Sequence, residues 1–151
     1  MTVKIVPYPD EAMPLLYASW FASTRRADPT ARAMSGREWR SVLGGRIQRV
    51  LDAAPLALAL VDPAIPGWIG GWIVAHACPT ALAVHYVYVK GAQRRQGYAL
   101  ALLDAAIGYA GEPAATVTTA NAPRWRDVLE RYRVTSVPYH ETMLAIEGAR
   151  K

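Results

Sequence analysis

The chain has 151 residues, 52% hydrophobic and 19% charged, which suits one folded domain and excludes an intrinsically disordered protein. Its formal net charge is +5, which can attract nucleic acid. The basic residues are dispersed along the chain, however, and this dispersal argues against a nucleic-acid-binding protein. The single cysteine excludes an internal disulfide, and the N-terminus has no basic region followed by an apolar run, so a cytoplasmic protein is expected.

The hydrophobic periodicity changes between helical and strand spacing along the chain. The predicted elements, in order, are strand Lys4–Tyr8, a helix from Asp10 to about Arg26, a helix from Ser35 through Leu51, strands Leu56–Val61, Gly67–Ala77 and Ala81–Lys90, a helix from Arg94 to about Tyr109, strand Ala115–Thr119, helix Pro123–Arg133 and one or two strands within Val134–Ile146. Short turns join the three central strands, which predicts an antiparallel meander. The order as a whole predicts an α/β fold with a mixed sheet, in a single domain over residues 1–151.

Local signals add detail to the predicted order of elements. Ser35 and Glu38 form a capping box at the start of the second helix, and Gly44-Gly45 should weaken or bend that helix. The polar segment Arg25–Ala33 predicts a loop. The most apolar segment, 56–77, is divided by prolines and glycines, so no membrane-spanning helix is expected.

The most informative segment is Val87–Ala99, where a strand ends, a short loop follows and a helix begins with small residues at Gly97 and Ala99. The first turn of a helix presents unpaired N–H groups and a partial positive charge, which suits a phosphate group. Additional positive charge lies on Lys90, Arg94 and Arg95. These residues predict an anionic ligand at the helix start.

The hexapeptide Arg94–Ala99, which reads RRQGYA, matches the signature Gln/Arg-x-x-Gly-x-Gly/Ala, and a Val-x-Val strand end precedes it at Val89. In this segment and in its element order, the chain resembles a GNAT N-acetyltransferase over nearly its whole length. The resemblance implies a GNAT-like, mostly antiparallel mixed sheet flanked by helices, acetyl-CoA as acyl donor, and transfer to a primary amine of unknown identity. The stretch His85–Gly97 is also similar to small phage- and prophage-encoded members of the family.

The resemblance also implies how acetyl-CoA is held. Backbone groups of Tyr88 and Val89 would pair with the pantetheine arm, and backbone N–H groups of 95–99 would hold the pyrophosphate. Asn121 matches an Asn often found near the pantetheine, or it caps the helix that begins near Pro123. The implied cofactor-binding residues are Tyr88, Val89, Arg94, Arg95, Gln96, Gly97, Tyr98, Ala99 and Asn121.

The groups that would move protons depart from the family pattern. Many members protonate the leaving thiolate with a Tyr in the last long helix; here the candidates are Tyr132, one turn beyond the expected place, and Tyr139. The candidate base is His85, with His76 on the neighbouring strand as the alternative. In a regular strand His85 shares the face of Val87 and Val89, opposite to Tyr86 and Tyr88. A histidine that only satisfies a hydrogen bond inside the sheet is the competing interpretation.

Two other functions stay open at the sequence level. A catalytically weak or inactive GNAT-fold protein would bind acyl-CoA or serve a structural role, and an acyltransferase associated with nucleic acid is suggested by the charge alone. The acceptor, whether small molecule or protein, has no readable motif, and a homodimer is one open arrangement. No metal is implied, because no cluster of His, Cys or carboxylate residues has ligand spacing.

Overall fold

The computed structural model describes residues 2–27, 29–118, 134–136 and 146. The described residues form two compact units, one made of residues 9–54 and the other of the residues before and after them. Three predicted site residues, Asn121, Tyr132 and Tyr139, lie outside the described residues.

The unit of residues 9–54 is helical. After a 3-10 turn at Asp10–Ala12 it contains helices α1 (Met13–Ala27), α2 (Pro29–Ala33) and α3 (Gly36–Asp52). The prediction of a loop over Arg25–Ala33 is wrong, because α1 continues to Ala27 and α2 fills 29–33. Proline at the first position of α2 has a φ that suits a helix start and needs no N–H partner there.

Helix α3 begins with the predicted capping box. The Ser35 hydroxyl accepts from the Glu38 N–H at 3.2 Å, and the Glu38 carboxylate accepts from the Ser35 N–H at 2.9 Å. The helix continues without a break through Gly44 and Gly45. A Cβ at Gly44 would lie 2.9 Å from the Tyr17 hydroxyl, whereas a Cβ at Gly45 would meet nothing within 4 Å. Gly44 is therefore a site of close approach between α1 and α3.

The other unit is built on a six-stranded sheet in the order β1 to β6. Its strands are β1 (Lys4–Pro7), β2 (Leu56–Val61), β3 (Ile69–Ala77), β4 (Ala81–Val89), β5 (Ala115–Thr118) and β6 (Val134–Ser136). The pairings from β1 to β4 are antiparallel, and β4–β5 and β5–β6 are parallel. The predicted mixed, mostly antiparallel sheet is confirmed. Strands β1 and β4 each end one residue earlier than predicted, at Pro7 and Val89. Gly67 has a φ of +75° and β3 begins at Ile69, two residues later than predicted, and Ile146 is helical.

Helix α4 (Tyr98–Tyr109) packs against one face of this sheet. The apolar core there consists of Leu58, Leu60, Ile73, Ala75, Leu82, Val84, Leu102, Leu103 and Ala106. The predicted start of α4 at Arg94 is wrong. Arg95 (φ +63°) and Gly97 (φ +79°) adopt left-handed conformations, which end any right-handed helix, so 94–97 form a loop.

Candidate functional site

Strand β4 pairs with β3 on one side and with β5 on the other. The β4–β5 register runs from Ala81↔Ala115 to Val84↔Thr118, the last described residue of β5, and β4 pairs with β3 as far as Val89. The loop that leads to α4 follows directly at Lys90.

A β-bulge interrupts the pairing of β4 with β3 between Val84 and Tyr86. Val74 pairs with Tyr86, but its neighbour Ala75 pairs with Val84, so β4 has one residue more than β3, and that residue is His85. A bulge bends its strand and shifts the alternation of side chains by one residue. Bulges are frequent next to active sites, where they end pairing or redirect a side chain.

The bulge overturns the predicted orientation of His85. Val87 and Val89 pack against the core under α4, as regular alternation predicts. The His85 ring instead contacts His76, which is on the opposite face, so His85 shares the face of Tyr86 and not that of Val87. Regular alternation fails because the extra residue shifts every side chain before it relative to those after it.

His85 and His76 form a buried pair across β3 and β4. Their Nδ1 (His76) and Nε2 (His85) atoms are 2.8 Å apart, and the two residues are 5% and 4% exposed. Burial, with His76 adding electrostatic repulsion, lowers the pKa of His85 from 6.5 to about 3. The lowered pKa favours a neutral His85 ring at pH 7, hydrogen-bonded to His76.

The loop between β4 and α4 presents backbone N–H groups. Gln93 and Arg94 donate to Lys90 and Gly91 inside the loop, and the first bond of the helix runs from Ala101 N–H to Gly97 C=O at 3.0 Å. The N–H groups of Tyr98, Ala99 and Leu100 precede that bond and so have no partner within the helix. Left-handed residues before a helix start make a concave N–H surface that binds anions.

The charged side chains of the loop occupy defined positions. Arg94 donates from Nε to the Val89 carbonyl at 3.0 Å, and its guanidinium carbon lies 5.9 Å from the centre of the Tyr88 ring. Gln96 donates to the Ala92 carbonyl at 3.3 Å, while Arg95 is exposed. Arg94 is thus folded back on the end of β4, and its positive charge stays beside the loop.

The sheet face opposite α4 is aromatic near this loop. Trp72 stacks on Tyr88 with ring centres 4.8 Å apart and meets Tyr8 edge-on at 6.1 Å. Trp72 is fully buried, and its indole N–H finds no acceptor in the described part of the chain. An unsatisfied buried donor costs about 1–3 kcal/mol, so the stacking and burial of this ring must offset that cost.

Gly71 permits the close approach of β3 to the end of β4. A Cβ at Gly71 would lie 2.7 Å from the Tyr88 carbonyl oxygen and 3.3 Å from Val89 Cα. The Lys90 N–H continues the contact by donating to the Gly70 carbonyl at 2.8 Å. Sequence reasoning missed this residue, although a glycine inside a strand is a known sign of close backbone approach.

Several predicted site residues are brought together in this region. Tyr88 and Val89 end β4, residues Arg94 to Gly97 form the loop, and Tyr98 and Ala99 begin α4. The side chains of Val89 and Tyr98 are half-buried and pack against the core. Thr118, whose buried hydroxyl donates to the Val84 carbonyl at 3.1 Å, was not predicted, because its partner is distant in sequence.

The described residues contain neither a metal-binding group nor a membrane-spanning helix. No group of three or more His, Cys, Asp or Glu side chains in this part of the chain is arranged to hold a metal ion. None of its helices combines the length and apolar character needed to cross a membrane.

The sequence profile of the acetyltransferase (GNAT) family matches residues 10–127. No curated protein sequence gives a significant match. The likeness to phage- and prophage-encoded proteins stays a prediction.

Solved structures of acetyltransferases have a similar fold. A Pyrococcus furiosus protein assigned as an acetyl transferase superposes with a TM-score of 0.65 at 16% identity, covering 86% of this chain and 91% of its own. A GCN5-related N-acetyltransferase from Ralstonia eutropha JMP134 gives 0.60 at 18% identity, with 86% and 90% covered. A ribosomal-protein-alanine N-acetyltransferase from Brucella melitensis gives 0.56 at 20% identity, with 86% and 90% covered. At these identities the similarity establishes the fold alone.

Proposed function

Because this chain belongs to the GNAT family of acetyltransferases, we propose that it acts as one acetyltransferase domain that transfers the acetyl group of acetyl-CoA to a primary amine. The observation that carries the proposal is the β4–α4 loop, in which left-handed residues at Arg95 and Gly97 lead into a helix start whose first N–H groups have no partner within the helix. Strand β4 leads directly into this loop, and positive charge lies beside it on Lys90, Arg94 and Arg95. An extended polar arm with an anionic group at one end fits that combination.

In the proposed complex the pyrophosphate lies against the backbone N–H groups of the β4–α4 loop. The pantetheine arm is proposed to run along β4 on the side away from β3. The Lys90 N–H and the Tyr88 carbonyl face β3, so the arm would pair with the backbone groups of Val87 and the N–H of Val89 rather than with Tyr88. A strand rises about 3.3 Å per residue, so the four steps from Val89 to His85 cover about 13 Å. The thioester is therefore proposed to lie near the bulge.

The reaction forms a bond between the amine nitrogen and the acetyl carbon and breaks the bond from that carbon to sulfur. The main contribution of the protein is to hold amine and thioester in reacting geometry. Backbone N–H groups beside the thioester carbonyl stabilise the negative charge that develops on its oxygen. One proton leaves the amine, and the thiolate of CoA takes up one.

The buried state of His85 bears on which group accepts the proton of the amine. A general base works best with a pKa near the working pH. The lowered pKa of His85, about 3, makes this residue a poor acceptor at pH 7. We therefore propose that the amine reaches the site neutral or loses its proton to water. The roles of Tyr132 and Tyr139 as acid for the thiolate remain predictions.

Titration calorimetry with acetyl-CoA tests the binding mode. We expect micromolar affinity, a binding free energy on the order of −7 to −8 kcal/mol. Gly97→Glu should abolish binding, because its side chain would enter the open space beside the loop, where a Cβ meets nothing within 4 Å, and would add a negative charge. Gly97→Ala is the matched control: it carries the same strain at a φ of +79° and no charge. Equal affinities of the Glu variant and the Ala variant would place the pyrophosphate elsewhere.

A second candidate function is acyl-CoA binding without turnover. The observation that favours it is the state of the candidate base: His85 is buried, hydrogen-bonded to His76, and has a lowered pKa. The two candidates differ in one measurement, the release of free CoA from acetyl-CoA across a panel of primary amines at pH 7 to 9. Tight binding with no amine-dependent CoA release would favour the second candidate.

A further inference from the structure

We propose that Arg94 is a positioning residue, whose ε N–H group rather than its charge holds the β4–α4 loop in the conformation that binds the pyrophosphate. This inference rests on the proposed function for its ligand. The sequence suggests a phosphate-binding cation at this position, whereas the structure has a side chain whose ε N–H is bonded within the protein. Position 94 therefore needs a hydrogen-bond donor more than it needs a positive charge.

The Arg94 side chain ties the loop to the end of β4. Its Nε donates to the Val89 carbonyl at 3.0 Å. The Tyr88 carbonyl and the Lys90 N–H face β3, so the Val89 carbonyl between them faces the other way and gains no partner from that strand. The Arg94 bond satisfies this carbonyl and fixes the distance between the two ends of the segment 89–94.

The residue that follows Arg94 has a backbone conformation that needs such support. Arg95 has a φ of +63°, in the left-handed region that is unfavourable for a residue with a Cβ. Strained conformations of this kind persist where the surrounding contacts fix them. The Arg94 bond lies before the strained residue, and after it Gln96 donates to the Ala92 carbonyl at 3.3 Å. Loss of the Arg94 bond would leave the left-handed turn supported from one side.

The left-handed turn sets the direction of the N–H groups that would bind the anion. Arg95, together with Gly97 at a φ of +79°, turns the chain into helix α4, whose first N–H groups have no partner within the helix. Successive N–H groups in such a turn form a concave anion site. When a loop occupies its binding conformation only part of the time, its apparent affinity falls by that fraction. The Arg94 bond thus raises the affinity by holding the loop in this conformation before the ligand arrives.

The positive charge of Arg94 is engaged beside the strand. Its guanidinium carbon lies 5.9 Å from the centre of the Tyr88 ring, within the distance of a cation–π contact, and that ring stacks on the buried Trp72. Lys90 and Arg95 keep positive charge in the same segment when Arg94 is replaced. The charge is therefore shared with neighbouring residues, whereas the bond to the end of β4 belongs to Arg94.

Three replacements of Arg94 separate the donor from the charge. Glutamine has an amide nitrogen at the ε position, where arginine has Nε, but it has no charge. Lysine keeps the charge, but its ε atom is carbon and its nitrogen lies one bond farther out. Methionine has a similar length and neither a donor nor a charge. Arg40→Lys, at an exposed arginine of α3, is the control for the same exchange at another position.

The measurement is titration calorimetry with acetyl-CoA at about 0.1 M and about 1 M salt, where the Debye length is about 10 Å and about 3 Å. A loss of affinity that comes from charge shrinks at the higher salt, whereas a loss that comes from loop geometry persists. At the higher salt we expect Arg94→Gln to bind within about twofold of wild type, and Arg94→Met and Arg94→Lys about fivefold more weakly, the scale of one hydrogen bond. Arg40→Lys should bind like wild type. Melting curves should coincide for all variants, because both positions are exposed.

Equal affinities of Arg94→Gln and Arg94→Met at the higher salt overturn the inference, as does wild-type affinity in Arg94→Lys or an equal loss in Arg40→Lys. If Arg94→Met does not fold, Arg94→Lys takes its place in each comparison.

An NMR measurement without ligand examines the loop itself. A residue with a positive φ gives a strong nuclear Overhauser effect between its own amide and α protons, so this cross-peak of Arg95 should persist in Arg94→Gln and weaken in Arg94→Met. If wild-type protein does not bind acetyl-CoA, the proposed function fails and this cross-peak decides the inference. An Arg95 cross-peak as strong in Arg94→Met as in wild type overturns it.

Discussion

Gly71→Ala should weaken acetyl-CoA binding, although residue 71 itself contacts no ligand group in the proposed complex. The new Cβ would lie 2.7 Å from the Tyr88 carbonyl oxygen, and ordinary contact begins at 3.4 Å, so the two strands must separate by roughly 0.7 Å. The obstructing atom belongs to the backbone, so no side-chain rotation relieves it. The end of β4 and the loop that follows it must move together.

We expect two effects from this separation. Overpacking of this kind costs about 1–3 kcal/mol of folding free energy, which lowers the melting temperature. Displacement of the end of β4 and of the loop that follows it should weaken acetyl-CoA binding about tenfold, which corresponds to 1.4 kcal/mol. Calorimetric titration and thermal melting of the purified variant measure both.

Gly91→Ala provides the matched control in the same region. A Cβ at Gly91 meets nothing within 4 Å, and its φ does not lie in the left-handed range, so affinity and melting temperature should stay close to wild type. Wild-type affinity in Gly71→Ala, with the melting temperature lowered, would refute the link between this close approach and the ligand site. An equal loss in both variants would show that the loop tolerates no methyl group anywhere.

Two further predictions concern stability. Gly45→Ala should raise the free energy of unfolding by about 0.5–1 kcal/mol, because alanine favours the helix and its Cβ meets open space. Gly44→Ala should raise it less, or lower it, because its Cβ would lie against the Tyr17 hydroxyl. Denaturant melts that give equal gains for the two variants would contradict the close approach at Gly44. The pKa of His85 is about 3 in the folded protein and near 6.5 in the unfolded chain, so the unfolded chain binds more protons between these pH values. The free energy of unfolding therefore falls as pH drops from 6.5 towards 3, by on the order of 1 kcal/mol per pH unit. Unfolding free energies at pH 7 and pH 5 should differ more in wild type than in His85→Gln, and equal differences would contradict the lowered pKa.

The sequence by itself determined the features that depend on neighbouring residues. The capping box at Ser35 and Glu38 depends on groups three residues apart, and the structure has both of its bonds. The order of strands and helices follows from local periodicity. The small residues and charge of Arg94–Ala99 indicated a helix start near this segment, although the helix begins at Tyr98 and not at Arg94. These signals were sufficient to predict the α/β fold, the mixed sheet and the family.

Only the tertiary structure decided how the strands meet. The single extra residue in β4 cannot be read from its own sequence, because a bulge exists only relative to the register of the partner strand. That register turns His85 away from Val87 and towards His76. The need for glycine at position 71 likewise comes from the carbonyl of Tyr88 on another strand. Contacts between residues distant in the chain carry no local periodicity, and for this reason the geometry of the site became visible only in the folded sheet.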